Sequence, residues 1–361
     1  MLKNIKEINR SLRDNRKKKR LASFMHSYDK APTPNIALEE AKSIALLRWD
    51  NKLGDSIMST VLIANLEKHR PDIQVTVITQ DFCADWFRKT TNANIITVEN
   101  RSLKTAKSLR AYKNQFDVLV EMGSNFDFKE LVALHELSAS YNIGYNKDPY
   151  NIFNICINKQ ACHFYDRYLE VAKLFTSQEL TSNIPLISFP KEKIIETLPN
   201  KNNIAINLFG SSKYRQFNEK QALLLLKRWI TNFPNDYLYL VPVPDKVSLL
   251  KSIVNKINDN RVKLISSAPS LEHTLQLMSQ VDFCLTPDTS VVHLSSALNS
   301  PIIAIYSDNK ANFNEWKPLS SNSEVIFNSP RRKKSSRTYV SDFNWDELVA
   351  KRNRLLRNIK D

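Results

Sequence analysis

Short apolar runs alternate along this chain with stretches in which apolar residues recur every three or four positions, the signature of strands alternating with helices. The run SIALL at 43–47 predicts a buried strand, and Ile57, Val61, Leu62, Ala64 and Leu66 then predict a helix over 56–69. Strands are expected at 74–79, 95–98, 116–121 and 141–145, with helices at 81–89, 101–114 and 128–140 between them. A further helix is expected at 163–178. The pattern pauses over 181–202, where Pro185, Pro190 and Pro199 mark a connection, and then restarts. Strands at 204–208, 237–243, 262–265, 281–285 and 301–306 alternate with helices at 219–232, 246–257, 271–280 and 290–298. Ser270 is placed to cap one of these helices. A charged helix from Trp345 closes the chain. Repeated β-α units imply parallel, right-handed, doubly wound sheets. The expected organisation is an extension over 1–34, Rossmann-like domains at 35–185 and 200–330, and a tail with a terminal helix at 331–361. Two such halves imply a cleft between them.

The junction RWDNKLGDSIMST at 48–60 organises the rest. It stands where a strand gives way to a helix, the usual ligand position in an open α/β sheet. Asp55 is its candidate acid, with an alternative reading as a helix cap. An anion in the first turn of a helix is stabilised, so a lowered pKa is expected there, which weakens a base. A second loop, LFGSSKYRQF at 208–217, offers small residues, the hydroxyls of Ser211 and Ser212, and the cations Lys213 and Arg215. Such a loop can cradle phosphate, although a Gly-Ser turn after a strand is common. In a third, VDFCLTPDTSVVHLSSAL at 281–298, a strand ends at Asp288 and Thr289, and a helix beginning at Ser290 presents its N–H groups and His293. A helix N-terminus suits a diphosphate; the competing reading makes Asp288 or Thr289 a simple cap.

Composition narrows the picture. The chain of 361 residues has only four glycines, where average usage would give roughly 25. Gly54, Gly123, Gly144 and Gly210 are therefore expected to mark places where a Cβ is not tolerated. The net charge of +15 is concentrated at the ends, with ten Lys/Arg against three Asp/Glu over 1–30 and ten against four over 331–361. The segments RDNRKKKR at 13–20 and RRKK at 331–334 suit an anionic membrane face or a phosphorylated substrate; they read equally as solvated tails. A near-neutral body argues against a nucleic-acid-binding protein. No run approaches a membrane span and no apolar signal core follows the N-terminus, so a cytoplasmic protein is expected. Cys83, Cys156, Cys162 and Cys284 form no C-x-x-C pair, and the six histidines show no ligand spacing, so no metal site and no disulfide framework are expected.

Together the three loops, in this order, resemble glycosyltransferase family 9, the heptosyltransferases of lipopolysaccharide core assembly. LLRWDNKLGDSIMST is similar to the family's opening signature, with an Arg and an Asp ahead of Gly-Asp. LFGSSKYRQF resembles its phosphate-binding loop, and TPDTSVVHLSSALNSPIIAIY its D-T-G-x-x-H-L-A-A-A-x-x-x-P segment. Ser290 and Val291 depart from the Gly and Pro usual there, and Ser295 and Ser296 from two alanines. The resemblance implies an α/β GT-B fold with an acceptor-binding first domain and a nucleotide-sugar-binding second domain. It implies an inverting, metal-independent transfer of heptose from ADP-heptose to a core sugar, with Asp55 as general base and no cofactor. It places the donor against Gly210, Ser211, Ser212, Lys213, Arg215, Asp288, Thr289, Ser290 and His293, and the anionic acceptor against Arg48, Lys52 and Gly54. The same fold with another nucleotide sugar, and a non-catalytic binder, are the alternatives. The setting implied is the cytoplasmic face of the inner membrane, without nucleic acid.

Overall fold

The computed structural model describes residues 2–124, 126–158, 163–181, 187, 192–196, 200–266, 270–328 and 338–360; for 2–11, 17 and 360 it gives the backbone alone. The chain divides into two compact units at Ser182 and Asn183. Each is built on a six-stranded sheet in which every registered strand pair is parallel.

In the first unit β1 (Ser43–Arg48) is central, with Ile44 opposite Val75 of β2 (Gln74–Gln80) and Val118 of β4 (Val118–Glu121). The order is completed by β3 (Asn94–Val98) beyond β2 and by β5 (Tyr141–Tyr145) and β6 (Ile155–Ile157) beyond β4. The crossovers are α2 (Leu53–His69), α3 (Asp81–Thr90), α4 (Leu103–Ser108) and α5 (Phe128–Leu137), and α6 (Asp166–Ala172) follows the sheet. Strands covered on both faces read as unbroken apolar runs, as SIALL does. Helix α2 is buried almost all round, which is why its sequence carries little polar contrast. It starts at Leu53, three residues before its expected start, so Gly54 and Asp55 lie in its first turn. Ahead of the sheet, α1 (Leu2–Tyr28) makes a helix of the basic run at 13–20. It packs through Leu21, Phe24, Met25 and Tyr28, with the Phe24 ring stacked 5.1 Å from Phe128, while Leu12 to Arg16 and Lys18 to Arg20 are exposed.

The second unit repeats the layout around β7 (Asn202–Ile206), where Ile204 lies opposite Leu238 of β8 (Asp236–Leu240) and Phe283 of β10 (Phe283–Pro287). Its remaining strands are β9 (Val262–Leu264), β11 (Ile302–Ser307) and β12 (Ser323–Asn328); its helices are α7 (Glu219–Asn232), α8 (Val247–Ile257), α9 (Leu271–Met278), α10 (Ser290–Leu298), α11 (Lys310–Trp316) and α12 (Trp345–Lys360). Ser270 caps α9 as expected, accepting from the His273 amide. Helix α12 is tied to the sheet by Arg352, whose guanidinium donates twice to the fully buried Asp236. Trp229 and Asn202 also donate to that carboxylate, each at 2.8 Å.

The strand orders β3-β2-β1-β4-β5-β6 and β12-β11-β10-β7-β8-β9 each reverse direction once, between β1 and β4 and between β7 and β10. Loops leaving the carboxyl ends of such a pair diverge to opposite faces of the sheet and open a crevice, the ligand position of this architecture. Turn conformation has a feature of its own. Among the described residues no glycine has positive φ, and the left-handed positions are filled by Asn51, Asn114, Asn146, Asn200, Asn258, Asn299 and Ser138. Asparagine is the side chain that tolerates this region best after glycine. The sequence reading missed β6, α11 and β12, and its 163–178 helix contracts to the seven residues of α6. The RRKK run, Cys162 and most of the proline-rich connection fall outside the described residues; Cys83 and Cys284 are buried free thiols and Cys156 is partly exposed.

Candidate active site

At the carboxyl end of β1 the chain turns through Asp50 to Lys52, with Asn51 left-handed, before entering α2. Lys52 is the helix N-cap and makes no side-chain capping bond, and Asp55 stands in the first turn. Asp55 is therefore not a cap. Asp55 is 8% exposed, and its carboxylate faces two cations, with Arg48 Nη2 3.1 Å and Lys52 Nζ 3.8 Å from Oδ2. The same Arg48 nitrogen donates to Asp50 Oδ1 at 2.7 Å, and Lys52 Nζ lies 3.7 Å from Asp50. Burial raises the Asp55 pKa; Arg48 and Lys52 oppose this and Asp50 adds to it. The lowered pKa expected from the helix end is thus corrected, because desolvation of the carboxylate outweighs the cations beside it.

Arg48 is placed differently from its expected role as a loop cation reaching for an anionic acceptor. It is 2% exposed, its guanidinium lies 5.9 Å from the Phe164 ring, and it serves Asp50 and Asp55 from beneath the turn. A buried arginine of this kind neutralises its neighbours instead of meeting solvent. Lys52, with its side chain 52% exposed, is the cation that the turn presents outward.

Around this cluster the carboxyl edge carries further buried charge that sequence reasoning did not single out. Glu121, ending β4, accepts from the Gly123 amide at 2.8 Å and lies 3.6 Å from Lys147 Nζ. Lys147 also donates to the Gly123 carbonyl at 2.7 Å. Arg167 from α6 donates to the Met122 carbonyl and the Ser124 hydroxyl, both at 3.1 Å, with its guanidinium 3.8 Å from the Tyr145 ring. Tyr168 beside it is fully buried. On the other side Trp49 donates to Glu130 at 3.0 Å, and Arg101 pairs with both Glu130 and Asp127. Asp50 and Glu121 belonged to recognisable strand ends; the α6 and β5 side chains had no local signal, since only the folded sheet brings them to β1.

In the second unit the loop after β7 and the loop after β10 meet at the switch point. Asn207 donates to Thr286 at 2.9 Å and to Thr289 at 3.2 Å, fastening the two loops together. Gly210 makes a close approach there: a Cβ would stand 2.8 Å from Thr289 Cγ2 and 2.9 Å from the Arg215 carbonyl oxygen. Its need is steric and not conformational. Arg215 binds Asp288 Oδ2 at 3.0 Å and the Asp288 carbonyl at 3.3 Å, and Asn312 of α11 donates to the same Oδ2 at 3.0 Å. Burial raises the Asp288 pKa against these two partners. Thr289 is the cap of α10, accepting from the Val291 amide, so of the two capping candidates Asp288 is released for another role. Lys213 and Ser211 are exposed, and Ser212 and Ser290 are partly so. His293, expected at the donor, is 3% exposed and packs 5.6 Å from the Trp316 ring. The arrangement can hold an anion on exposed hydroxyls, one exposed lysine and a helix N-terminus bearing roughly half a positive charge, beside a carboxylate already oriented by two donors. Among the described residues no group of three His, Cys, Asp or Glu side chains comes together as a metal site, and no helix is long and apolar enough to cross a membrane.

Comparison with known proteins places this geometry. The model of glycosyltransferase family 9 (heptosyltransferase) matches residues 239–344. The chain is 22% identical over 286 residues to the putative lipopolysaccharide heptosyltransferase 4 of Escherichia coli, covering 75% of this chain and 76% of that protein. It is 23% identical over 300 residues to the lipopolysaccharide heptosyltransferase 1 of Campylobacter coli, covering 76% and 86%. Its fold superposes on the E. coli ADP-heptose lipopolysaccharide heptosyltransferase II with a TM-score of 0.67 at 18% identity, over 88% of this chain and all of that one. With its two doubly wound parallel sheets this chain has the GT-B fold, and over residues 239–344 it is similar to glycosyltransferase family 9, the heptosyltransferase family.

Proposed function

We propose that the protein transfers a heptose from ADP-heptose to a sugar of the lipopolysaccharide core, with inversion at the anomeric carbon and Asp55 as general base. The observation that carries this reading is the Asp55 carboxylate, buried in the first turn of α2 with its pKa raised, at the carboxyl edge where such sheets bind ligands. A sugar hydroxyl is a weak nucleophile until its proton is taken, a contribution of roughly 10²–10⁴ in rate. In the step proposed, the acceptor oxygen bonds to the anomeric carbon, the bond from that carbon to the β-phosphate oxygen breaks with its electron pair leaving on the phosphate, and the hydroxyl proton passes to Asp55.

The leaving diphosphate gains negative charge and requires positive potential already in place. Lys213, the Ser211 and Ser212 hydroxyls and the N–H groups at the start of α10 supply it in this reading. Asp288 Oδ2 is occupied by Arg215 and Asn312, and its other oxygen is assigned to donor-sugar hydroxyls. The reading needs no cofactor beyond the nucleotide sugar. Lys52 is assigned to an anionic group of the acceptor. The exposed cations of α1 at 13, 16 and 18–20 support docking on the anionic cytoplasmic face of the inner membrane; flotation with anionic vesicles and none with neutral ones is the expected pattern, and no flotation with either would remove this docking.

The test is transfer from ADP-heptose to a truncated core acceptor, read by mass spectrometry. Asp55→Asn should lower turnover by at least about 10²-fold while ADP binding persists. Wild-type turnover in that variant removes Asp55 from the mechanism. Because Ser290 and Val291 reshape the start of α10, a panel of other nucleotide sugars belongs in the same assay; transfer from one of them in place of ADP-heptose would reassign the donor.

A further inference from the structure

Asp50 has no role in the chemistry above, yet it makes the shorter of the two contacts to Arg48. We infer that Asp50 is a positioning residue that draws the Arg48 guanidinium toward itself, so that Arg48 pairs less closely with Asp55 and leaves its carboxylate the better proton acceptor. The inference rests on Asp55 being the general base.

The geometry is a competition for one nitrogen. Arg48 Nη2 lies 2.7 Å from Asp50 Oδ1 and 3.1 Å from Asp55 Oδ2, and Nε is buried with no hydrogen-bond partner among the described residues. The guanidinium therefore does not grip either carboxylate in the bidentate, two-nitrogen manner that makes arginine pairs strong. Lys52 repeats the pattern, at 3.7 Å from Asp50 and 3.8 Å from Asp55. A base fully engaged by a buried arginine is a poor proton acceptor, since opposite charge at contact distance favours the ionised form. With Asp50 in place the cation is divided, and a second negative charge stands beside the base. The other titratable groups that act on this cluster are Glu121 from β4, Tyr168 from α6, Cys83 from α3 and Arg101 ahead of α4, whose positive charge is felt by Asp50. Asp50 is joined to the cluster by its side chain alone and sits on the loop, outside α2, so its charge can be removed without breaking the helix.

The sign follows from the charges. Removing the Asp50 charge deletes a repulsion on Asp55 and releases Arg48 toward it, and both changes favour ionised Asp55. Activity needs that ionised form, so the acid limb of kcat should move to lower pH while the plateau falls about three- to tenfold, because a weaker base removes the proton less well. The experiment compares pH profiles of kcat and acceptor KM for wild type, Asp50→Asn and Asp50→Glu, with carbon NMR of the Asp55 carboxyl as a readout independent of turnover. Support consists of the limb shift and plateau loss in Asp50→Asn, a matching downward move of the Asp55 titration, and recovery of both in Asp50→Glu. Asp50→Ser gives the same readouts with a smaller side chain should the amide variant fail to fold. An unmoved limb and titration, with only acceptor KM raised, overturns the inference and makes Asp50 a contact to the acceptor. Wild-type turnover in Asp55→Asn overturns the base reading itself, which the Asp55 titration in the Asp50 variants reports on separately.

Discussion

Lys213 and Arg215 are two residues apart and are placed for different work. Lys213 is exposed, whereas Arg215, with its side chain 40% exposed, is committed to Asp288. Charge-assisted hydrogen bonds contribute roughly 1.5–3 kcal/mol. Lys213→Ala is accordingly expected to weaken binding of ADP and of the intact donor alike, by about 10–100-fold by calorimetry. Arg215→Ala acts through Asp288, so it should weaken the sugar-bearing donor more than ADP; equal losses would return Arg215 to the phosphates. Glu130 supplies a pH prediction. Burial pushes its carboxyl up to about 7, against the paired Arg101. A raised folded-state value adds stability that is present below about 4.5 and lost as the pH rises through about 7. Replacing Glu130 by Gln should flatten the fall of the denaturation midpoint across that window, and an unchanged slope would show that Glu130 does not titrate there. Position was legible at this scale: Asp55, Gly210 and Asp288 stand just past strand ends, where the sequence pattern puts them. Arg48 was not, because an arginine in a loop motif reads as a surface cation until the sheet above it is built.

At the scale of elements, α12 joins its sheet through the apolar side chains Trp345, Leu348, Leu355 and Leu356 and through one buried ion pair. Breaking such a pair from one side leaves an uncompensated charge, a loss of about 3–5 kcal/mol. Arg352→Met should therefore lower the urea midpoint sharply, and Asp236→Asn added to it should recover part of the loss, since the charge goes while an acceptor for Trp229 and Asn202 stays; a single variant as stable as wild type would show that apolar packing alone retains the helix. Turns make a second point. Asn258 and Asn299 end α8 and α10 in the left-handed conformation. Glycine is free of strain there and a β-branched residue is not. Asn258→Gly should be neutral or stabilising and Asn258→Val destabilising by about 1–2 kcal/mol in thermal melts, whereas Asn299→Gly also loses the two bonds its side chain accepts from Ser321. Long apolar strands and helices with local caps, such as Ser270 on α9, could be read from sequence. The strand β12 could not, since SEVIFN at an edge is half exposed and shows no clean alternation; α11 is a short helix with no buried residues of its own.

For the whole molecule, the alternation of β and α sufficed to name the architecture, and the positions of the loops followed from the sheet order. Only the folded sheets reveal that each critical loop leaves a strand flanking the reversal, because strand order is a property of pairings distant in sequence. Hydrogen exchange offers a check at this scale. ADP should concentrate its protection at residues 207–218 and at the first turn of α10, and protection falling instead at the opposite, amino-terminal ends of β7 and β10 would displace the donor site from the crevice.

The matching strand orders have one more consequence. In the second unit a cation from the loop after the first strand, Arg215, meets a buried carboxylate after the fourth, Asp288. In the first unit the first and fourth strands end in Arg48 and Glu121, a buried cation and a buried acid, with Glu121 kept beside Lys147. The two sheets thus repeat one layout with different wiring: the acid ending the fourth strand of the first unit is held by a lysine, whereas the acid just past the fourth strand of the second is held by an arginine and an asparagine. One topological address, the end of the strand beside the reversal, therefore carries a buried carboxylate in both halves of the protein, so a duplicated layout has kept an acid there while changing the partners that hold it.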